Sequence, residues 1–183
     1  MGKATEPLPV KLIMPMFTRY VELFEQAEEV LAERFGPVDY RSERFPFTHT
    51  DYYTEEFGPG LVRWFISFER LIDPGELAEI KLWTNALEEK WAEEGKRRIN
   101  LDPGYIAPAK LVLATTKNHG HRIYIGKGIY AEVTLVYRGK DFRPWPWTYP
   151  DYQTKEYLAV MRAIREIYMQ QLRQEGLLTR RSG

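Results

Sequence analysis

The 183-residue sequence contains no cysteine. Disulfide bonds, thiol catalysis and cysteine-ligated zinc or iron–sulfur centres are therefore excluded. The sequence also has no apolar run approaching the roughly 20 residues that cross a bilayer, so we expect no membrane-spanning helix. Its first residues lack the basic and then apolar pattern of a secretory signal. From these absences we predict a cytoplasmic protein with no membrane partner.

Aromatic residues are abundant: the chain has 9 Phe, 12 Tyr and 5 Trp. This content, with 44% hydrophobic and 28% charged residues, is typical of a globular protein and excludes a disordered one. The length favours a single domain over residues 1–183. We expect its core at about 10–172 and a frayed tail at 173–183.

The charges are balanced overall but unevenly distributed. Residues 1–107 hold 13 Lys or Arg and 20 Asp or Glu, whereas residues 108–183 hold 13 and 6. An excess of charges of one sign in part of a sequence usually reflects a solvated surface. The alternative is a basic face in the C-terminal half that binds phosphate or nucleic acid.

The first hundred residues alternate between strand and helix periodicities. The predicted strands are 11–17, 40–47, 61–69 and 97–101, and the predicted helices are 20–35 and the segment between the start signal at Asp73 and the stop at Gly95. This order predicts a ferredoxin-like βαββαβ unit, an antiparallel sheet with both helices on one face.

The remaining residues predict hairpins followed by a last helix. The expected strands are 110–117, 122–125 and 129–138, the last with one buried face, and the expected helix is 154–172. Residues 142–148 are interrupted by proline, which indicates an edge strand or a loop. The predicted fold class is therefore α+β, a ferredoxin-like sheet extended by C-terminal hairpins and a final helix.

A loop of unusual length joins two of the predicted strands. It runs from Thr48 to Gly60 and carries His49, Asp51 and Tyr52, whereas hairpin loops normally have 2–5 residues. Long ordered loops often carry function. The alternative is an aromatic loop that packs over an open sheet edge.

The segment Asn100–Tyr105 predicts a type II turn with Pro103 and Gly104 at its central positions. Asp102 would then cap the turn through its backbone. Alternatively, Asp102 points into a cleft beside the long loop and, with Tyr105, contacts a ligand.

The segment Thr115–Arg122 concentrates polar donors. Two of the three histidines of the chain, His119 and His121, lie here, and the third is His49. Imidazoles act as acid or base near neutral pH, so the three histidines are the candidate catalytic residues. Lys117, Arg122 and Lys127 could hold phosphate. The alternative is an ordinary polar hairpin end.

A divalent metal site is a second interpretation of the same residues, with His49, Asp51, His119 and His121 as ligands. A nucleotide P-loop is excluded, because Gly126-Lys127-Gly128 lacks the required spacing, hydroxyl and following helix.

Residues 142–152 form an aromatic strip stiffened by three prolines. We expect it to hold the last helix against the sheet. The alternative is a surface on which bases stack.

The sequence resembles an uncharacterised bacterial and archaeal family, Domain of Unknown Function 4416. The resemblance rests on Thr50–Tyr53 with Phe57-Gly58, on Asn100–Tyr105, on Ala114–His119 and on Pro146–Tyr152. It extends from about Val10 to Leu172. It implies one intact domain and no particular reaction.

Two functions follow as hypotheses. The first is binding or turnover of a phosphorylated small molecule or nucleotide in a cleft where the long loop meets His119–Arg122. The second is a non-catalytic RNA-binding or assembly module that uses a basic face and the aromatic strip. The sequence decides neither whether the protein is an enzyme nor its oligomeric state.

Overall fold

One large antiparallel sheet organises this mixed α/β protein. The structure, a computed structural model, describes residues 1–48 and 50–178. Over those residues the strands are β1 (Lys11–Thr18), β2 (Val38–Arg41), β3 (Phe45–Pro46), β4 (Val62–Phe68), β5 (Ile99–Leu101), β6 (Gly104–Ala107), β7 (Lys110–Thr115), β8 (Arg122–Gly126), β9 (Ile129–Arg138) and β10 (Asp141–Pro144). The helices are α1 (Glu22–Phe35), α2 (Thr54–Phe57), α3 (Leu77–Trp91) and α4 (Lys155–Gln174).

The central strand is β1. It pairs with β4 on one side and with both β5 and β6 on the other, while β2 and β3 pair with the outer edge of β4. The sheet continues from β6 through β7 and β9 to β10, and β8 also pairs with β9. A ferredoxin-like topology is not confirmed, because this sheet has ten strands.

Helices cover both faces of the sheet. Helices α1 and α3 pack on the face that carries Met14 and Met16, and α4 packs on the opposite face against Ile13 and Phe65. All eight residues of β1 are buried. Burial on both faces explains why residues 12–17 of this strand are a continuous apolar run without alternation.

Side-chain caps mark the starts of two helices. The Asp73 carboxylate accepts a hydrogen bond from the backbone N–H of Gly75 at 2.6 Å, and the Glu76 carboxylate accepts one from the N–H of Asp73 at 2.9 Å. This reciprocal capping precedes a 3₁₀ turn, Pro74–Glu76, which leads into α3. Thr154 caps α4 by a single bond, since its hydroxyl accepts the N–H of Tyr157 at 3.3 Å.

The predicted type II turn at Pro103-Gly104 is wrong. Gly104 begins β6 and its φ is not positive, because β5 and β6 follow the same edge of β1 with only Asp102 and Pro103 between them. Glycine is needed here for space. A Cβ on Gly104 would lie 2.4 Å from the carbonyl oxygen of Val112 on β7.

Two other expectations also need correction. The predicted strand 40–47 is interrupted between β2 and β3, where the Ser42 hydroxyl accepts a hydrogen bond from the N–H of Phe65. Strand β9 does not have a single buried face, since Glu132 and Thr134 are buried as well. Trp147 and Thr148 of the aromatic strip donate hydrogen bonds to the backbone carbonyls of Val133 and Thr134 on this strand.

The final helix extends two residues beyond its predicted end, to Gln174. Residues 179–183 of the predicted frayed tail lie outside the described residues. No helix within residues 1–48 and 50–178 has both the length and the apolarity needed to cross a bilayer.

Candidate functional site

The turn between β7 and β8, residues 116–121, holds the two predicted imidazoles; we call it the imidazole turn. The Nε2 atom of His121 lies 2.9 Å from Oε1 of Glu132, and Nε of Arg122 donates a hydrogen bond to the same oxygen at 3.1 Å. The second oxygen of Glu132 accepts from the Thr134 hydroxyl at 3.0 Å. The buried Glu132 carboxylate thus fixes the His121 imidazole and the Arg122 guanidinium.

Glu132 also sets the chemistry of the His121 ring. A neutral imidazole that donates from Nε2 to a carboxylate keeps Nδ1 as its acceptor. The His121 side chain is 28% exposed, so solvent reaches it. Nδ1 can therefore take up a proton from a bound molecule or return one to it.

Four rings stand in a row beside the turn. The ring centres of His119 and His121 are 5.8 Å apart, those of His121 and Trp147 are 5.3 Å apart, and those of Trp147 and Trp145 are 5.1 Å apart. The planes of successive rings differ by 14° or less. We call these four residues the ring ladder, and His119 is its exposed end.

Hydrogen bonds fix the tryptophan end of the ladder to the sheet. The indole N–H of Trp147 donates to the carbonyl of Val133 at 3.0 Å, and the Thr148 hydroxyl donates to the carbonyl of Thr134 at 2.6 Å. This part of the aromatic strip therefore packs against β9. Tyr149, in contrast, is 58% exposed.

The long loop reaches the imidazole turn through Tyr52. The Lys117 ammonium donates to the Tyr52 hydroxyl at 3.2 Å and lies 5.0 Å from the centre of that ring. The Tyr53 ring packs edge to face against Tyr52, with ring centres 4.9 Å apart, and also contacts Phe17 and Phe57. The loop is thus anchored by aromatic packing and still presents Tyr52 to solvent.

The other predicted residues of the loop have weaker structural support. The Asp51 side chain is exposed, and the backbone carbonyl of Asp51 accepts a hydrogen bond from the N–H of Thr54 at the start of α2. His49 lies outside the described residues. Within residues 1–48 and 50–178, no three His, Asp or Glu side chains form a group that could hold a metal ion.

Asp102 belongs to a second cluster, at the break between β5 and β6. One of its oxygens accepts from the Asn100 amide at 2.7 Å and lies 3.6 Å from Arg63, and the other lies 3.8 Å from the Lys81 ammonium. Two cations and an amide therefore already surround this carboxylate. Its predicted role as a turn cap is not the one that the side chain performs.

The guanidinium of Arg63 lies at the centre of this second cluster. It is 3% exposed, donates to Asp151 at 3.2 Å and lies within 6 Å of five aromatic ring centres. Neither Arg63 nor Asp151 is among the site residues predicted from the sequence. A charge in the middle of an apolar strand was the available signal, because such a charge requires a buried partner.

Arg97 connects the long loop to the same region. It contacts both carboxylate oxygens of Glu56 on α2, the nearest at 2.8 Å, and donates to Asn100 at 2.9 Å. Its other neighbour, Glu88 of α3, accepts the N–H of Leu101 at 2.8 Å. Burial raises the pKa of Glu88 to about 7.

A tyrosine of the loop faces this cluster as well. Burial, together with the nearby negative charge of Asp102, raises the pKa of Tyr53 to about 12. The hydroxyl is therefore neutral at physiological pH. Tyr53 joins the second cluster to Tyr52 and so to the imidazole turn.

Two predicted ligand residues lie away from the imidazoles. Lys127 is in the turn at the other end of β8, where it pairs with Glu79 at 3.3 Å. Tyr105 is half-buried in β6 and packs against the core beneath α3, and burial raises its pKa.

Two shallow grooves flank β3 at the far edge of the sheet. One, of about 450 Å³, lies between Tyr40, Phe45 and the start of α4, and the other, of about 420 Å³, follows residues 44–48 and 60–62. Their linings include none of the imidazoles or cations considered above. The candidate site is therefore an exposed surface and not one of these grooves.

Comparison with known proteins gives a family but no activity. No curated protein and no solved structure matches this chain. The family model described as a domain of unknown function, DUF4416, matches residues 8–168, which is most of the sequence. The chain therefore belongs to the DUF4416 family.

Proposed function

We propose that this chain binds a small phosphate-bearing molecule, such as a nucleotide, on the surface formed by Tyr52, Lys117, His119 and His121. The observation that supports this most directly is the contact of Lys117 with Tyr52, which joins two polar loops 65 residues apart in sequence. Residues 117–121 of the same turn carry an ammonium and two imidazoles, and donors of this kind suit an anionic oxygen. We place this surface on a sheet whose strands β1 to β6 form a ferredoxin-like βαββαβ unit.

The ring ladder favours a ligand with one planar group. Its inner ring faces are already covered by neighbouring rings, since centre separations of 5.1 to 5.8 Å are those of rings in contact. Only the ends of the ladder are left for stacking. A single base on the outer face of His119 would place its phosphate near Lys117.

Turnover of the ligand would depend on His121. Glu132 orients its ring and leaves Nδ1 to exchange a proton with the ligand, while Lys117 offsets charge that develops on phosphate. Arg122 has a positioning role in this proposal. Its side chain is 5% exposed and is held by Glu132 and the carbonyl of Lys117.

A divalent metal would enter this site only together with the ligand. Mg²⁺ commonly binds through one or two carboxylates plus substrate phosphate oxygens. Asp51 is an exposed carboxylate of the long loop, and His49 is its sequence neighbour two positions away. Asp102, Tyr105 and Lys127 have the separate surroundings described above, so the proposal does not depend on them.

RNA binding is the second candidate, and the exposed ring of Tyr149 favours it. The charges of the C-terminal half argue against it. Several of its cations are already paired or hydrogen-bonded within the chain: Arg122 with Glu132, Lys127 with Glu79, Arg162 with Asp141, and Arg165 with the carbonyl of Pro108. An extended basic face is therefore much reduced.

Proton NMR of the histidine rings provides the test. The chain has three histidines, so each ring signal can be assigned by single replacement. Titration with pyrophosphate, ribose 5-phosphate and adenosine monophosphate should shift the His119 and His121 signals. Lys117→Ala should weaken binding by about tenfold, the usual effect of losing one charge-assisted hydrogen bond.

Lys127→Ala is the matched control, because it removes the same charge from the other end of β8. It should leave the affinity for these phosphates unchanged. Equal losses in both variants, or unshifted histidine signals, would contradict the proposal. Single-stranded RNA that binds more tightly than the small phosphates, with affinity that falls steeply with salt, would support the second candidate instead.

A further inference from the structure

The long loop links the imidazole turn to the second cluster. Its Tyr52 hydroxyl accepts a hydrogen bond from Lys117 of the turn at 3.2 Å. The Tyr52 ring packs against the ring of Tyr53, with centres 4.9 Å apart. Burial raises the pKa of Tyr53, and the negative charge of Asp102 adds to this effect, so Tyr53 lies beside the second cluster. Two consecutive residues of the loop therefore connect the two groups of polar side chains.

The aromatic strip provides a second connection. Trp147 stacks on His121 of the imidazole turn, with ring centres 5.3 Å apart. Asp151, four positions later, accepts a hydrogen bond from Arg63 of the second cluster at 3.2 Å. Tyr149 lies between them in the sequence and is 58% exposed. The loop and the strip thus both run from one cluster to the other, and both carry exposed side chains.

The strand register gives the separation of the two clusters. Gly104 on β6 lies opposite Leu113 on β7, which lies opposite Glu132 on β9. Glu132 is thus two strands away from Gly104, and Asp102 precedes Gly104 by two residues. With strands about 4.8 Å apart and residues about 3.3 Å apart along a strand, the backbones of Asp102 and Glu132 are separated by about 12 Å. A phosphorylated monosaccharide, with one side chain reaching it from each end, covers this distance.

The carboxylate of Asp102 suits a hydroxyl group. Its side chain is 31% exposed, and one of its oxygens is held by the Asn100 amide at 2.7 Å. The other oxygen lies 3.8 Å from the Lys81 ammonium, which is too far for a hydrogen bond. A carboxylate only accepts hydrogen bonds and an ammonium only donates them, whereas a hydroxyl does both. One ligand hydroxyl can therefore donate to Asp102 and accept from Lys81.

The charges of the second cluster favour a neutral polar group over an anion. Besides Glu88, whose pKa burial raises to about 7, the cluster contains equal numbers of cations and carboxylates: Arg63, Lys81 and Arg97, and Asp102, Asp151 and Glu56. An added anion would meet no excess of positive charge there. Lys117 of the imidazole turn, in contrast, donates to the uncharged hydroxyl of Tyr52. The two ends of the surface therefore suit different parts of one molecule.

We propose that the ligand is a sugar phosphate, whose hydroxyl groups bind at Asp102 and Lys81 while its phosphate binds at Lys117 and the imidazoles. This inference rests on the proposed function and adds the class of the ligand to it. Asn100 has a positioning role, because it donates to Asp102 and accepts a hydrogen bond from Arg97 at 2.9 Å.

Calorimetric titration of the full chain with ribose 5-phosphate and with pyrophosphate tests the role of Asp102. Asp102→Asn should weaken the binding of ribose 5-phosphate by about tenfold, through the loss of a charge-assisted hydrogen bond. It should leave the affinity for pyrophosphate unchanged, because pyrophosphate carries no sugar. Asp141→Asn, the same change at an exposed carboxylate of β10, is the matched control and should affect neither ligand. Lys117→Ala should weaken both, and circular dichroism verifies that each variant folds.

A second titration uses the unmodified chain and so does not depend on the folding of a variant. Ribose 5-phosphate, glucose 6-phosphate and glycerol 3-phosphate are compared with butyl phosphate, which carries a phosphate but no hydroxyl groups on its carbon chain. At least one of the three should bind about tenfold more tightly than butyl phosphate. Pyrophosphate binding with no such preference, or equal losses for both ligands in Asp102→Asn, would overturn this inference and leave the phosphate site intact. A chain that binds none of these phosphates would contradict the proposed function itself.

Discussion

The carboxylate of Asp151 lies 3.2 Å from the guanidinium of Arg63, in the interior between β4 and the turn that precedes α4. The side chains are 8% and 4% exposed. These residues are 88 positions apart in sequence. The pair fixes the end of the aromatic strip, and therefore the start of the last helix, to the centre of the sheet.

Replacing Asp151 by Ala should lower the free energy of unfolding by about 1–3 kcal/mol, because the buried Arg63 would lose its hydrogen-bonded carboxylate and keep only Asp102, 3.6 Å away. Asp141→Ala is the control. Asp141 pairs with Arg162 at 2.8 Å, but both side chains are more than 40% exposed, so its loss should cost less than about 1 kcal/mol. Urea denaturation measures both variants, and equal losses would contradict this account.

Glu88 should make stability depend on pH. Burial raises its pKa from 4.5 to about 7, so between these values the folded chain holds a proton that the unfolded chain has released. Stability should therefore fall as pH rises from 4.5 to 7, by up to roughly 3 kcal/mol. Glu88→Gln removes this dependence and keeps an acceptor for the N–H of Leu101.

The measurement is the free energy of unfolding of both proteins at about pH 5 and about pH 8. The free energy of unfolding of the Gln variant, relative to that of the unmodified chain, should increase as pH rises. A difference that is constant across this range, or that changes in the opposite direction, would show that Glu88 does not titrate in this window.

Replacing each of the two histidines of the turn should have a different effect on stability. His119→Ala should change the free energy of unfolding by less than about 0.5 kcal/mol, because the ring is exposed at the end of the ladder. His121→Ala should cost about 1–2 kcal/mol, because it removes a hydrogen bond to buried Glu132. Both should weaken phosphate binding. Thermal melts and the NMR titration together separate the two effects.

Gly104→Ala should destabilise the chain by about 1–3 kcal/mol, since the new Cβ would overlap the carbonyl oxygen of Val112 and force β6 and β7 apart. Gly120→Ala is the matched control, with no atom within 4 Å of its added Cβ. Denaturation curves that coincide for both variants would show that the sheet accommodates the methyl group.

Features with local causes could be predicted from the sequence. The capping box Asp73–Glu76 and the strand–helix order of the first hundred residues depend on neighbours within a turn or two. The continuation of β5 into β6 depends on β1, about 90 residues earlier, and no local pattern at Pro103-Gly104 distinguishes it from a turn.

The candidate site likewise combines residues that a local pattern indicates with residues that only the fold brings together. His119, His121 and Lys117 stand out by their density in a short segment. Glu132 does not, because one carboxylate in an alternating strand is ordinary. The register of the β8–β9 hairpin, in which Arg122 lies opposite Glu132, is what places it under the imidazole. The turn at Lys127-Gly128 alone would place Arg122 opposite Val133, and a β-bulge between Tyr124 and Gly126 shifts the register by one residue.

The ring ladder has an optical consequence. It contains two of the five tryptophans of the chain, held nearly parallel with their centres 5.1 Å apart. Fixed aromatic packing of this kind produces near-ultraviolet circular dichroism that disappears when the packing is lost. The Trp147 ring stacks on His121, and His121 stacks on His119. The near-ultraviolet circular dichroism of the protein should therefore respond to changes at His119.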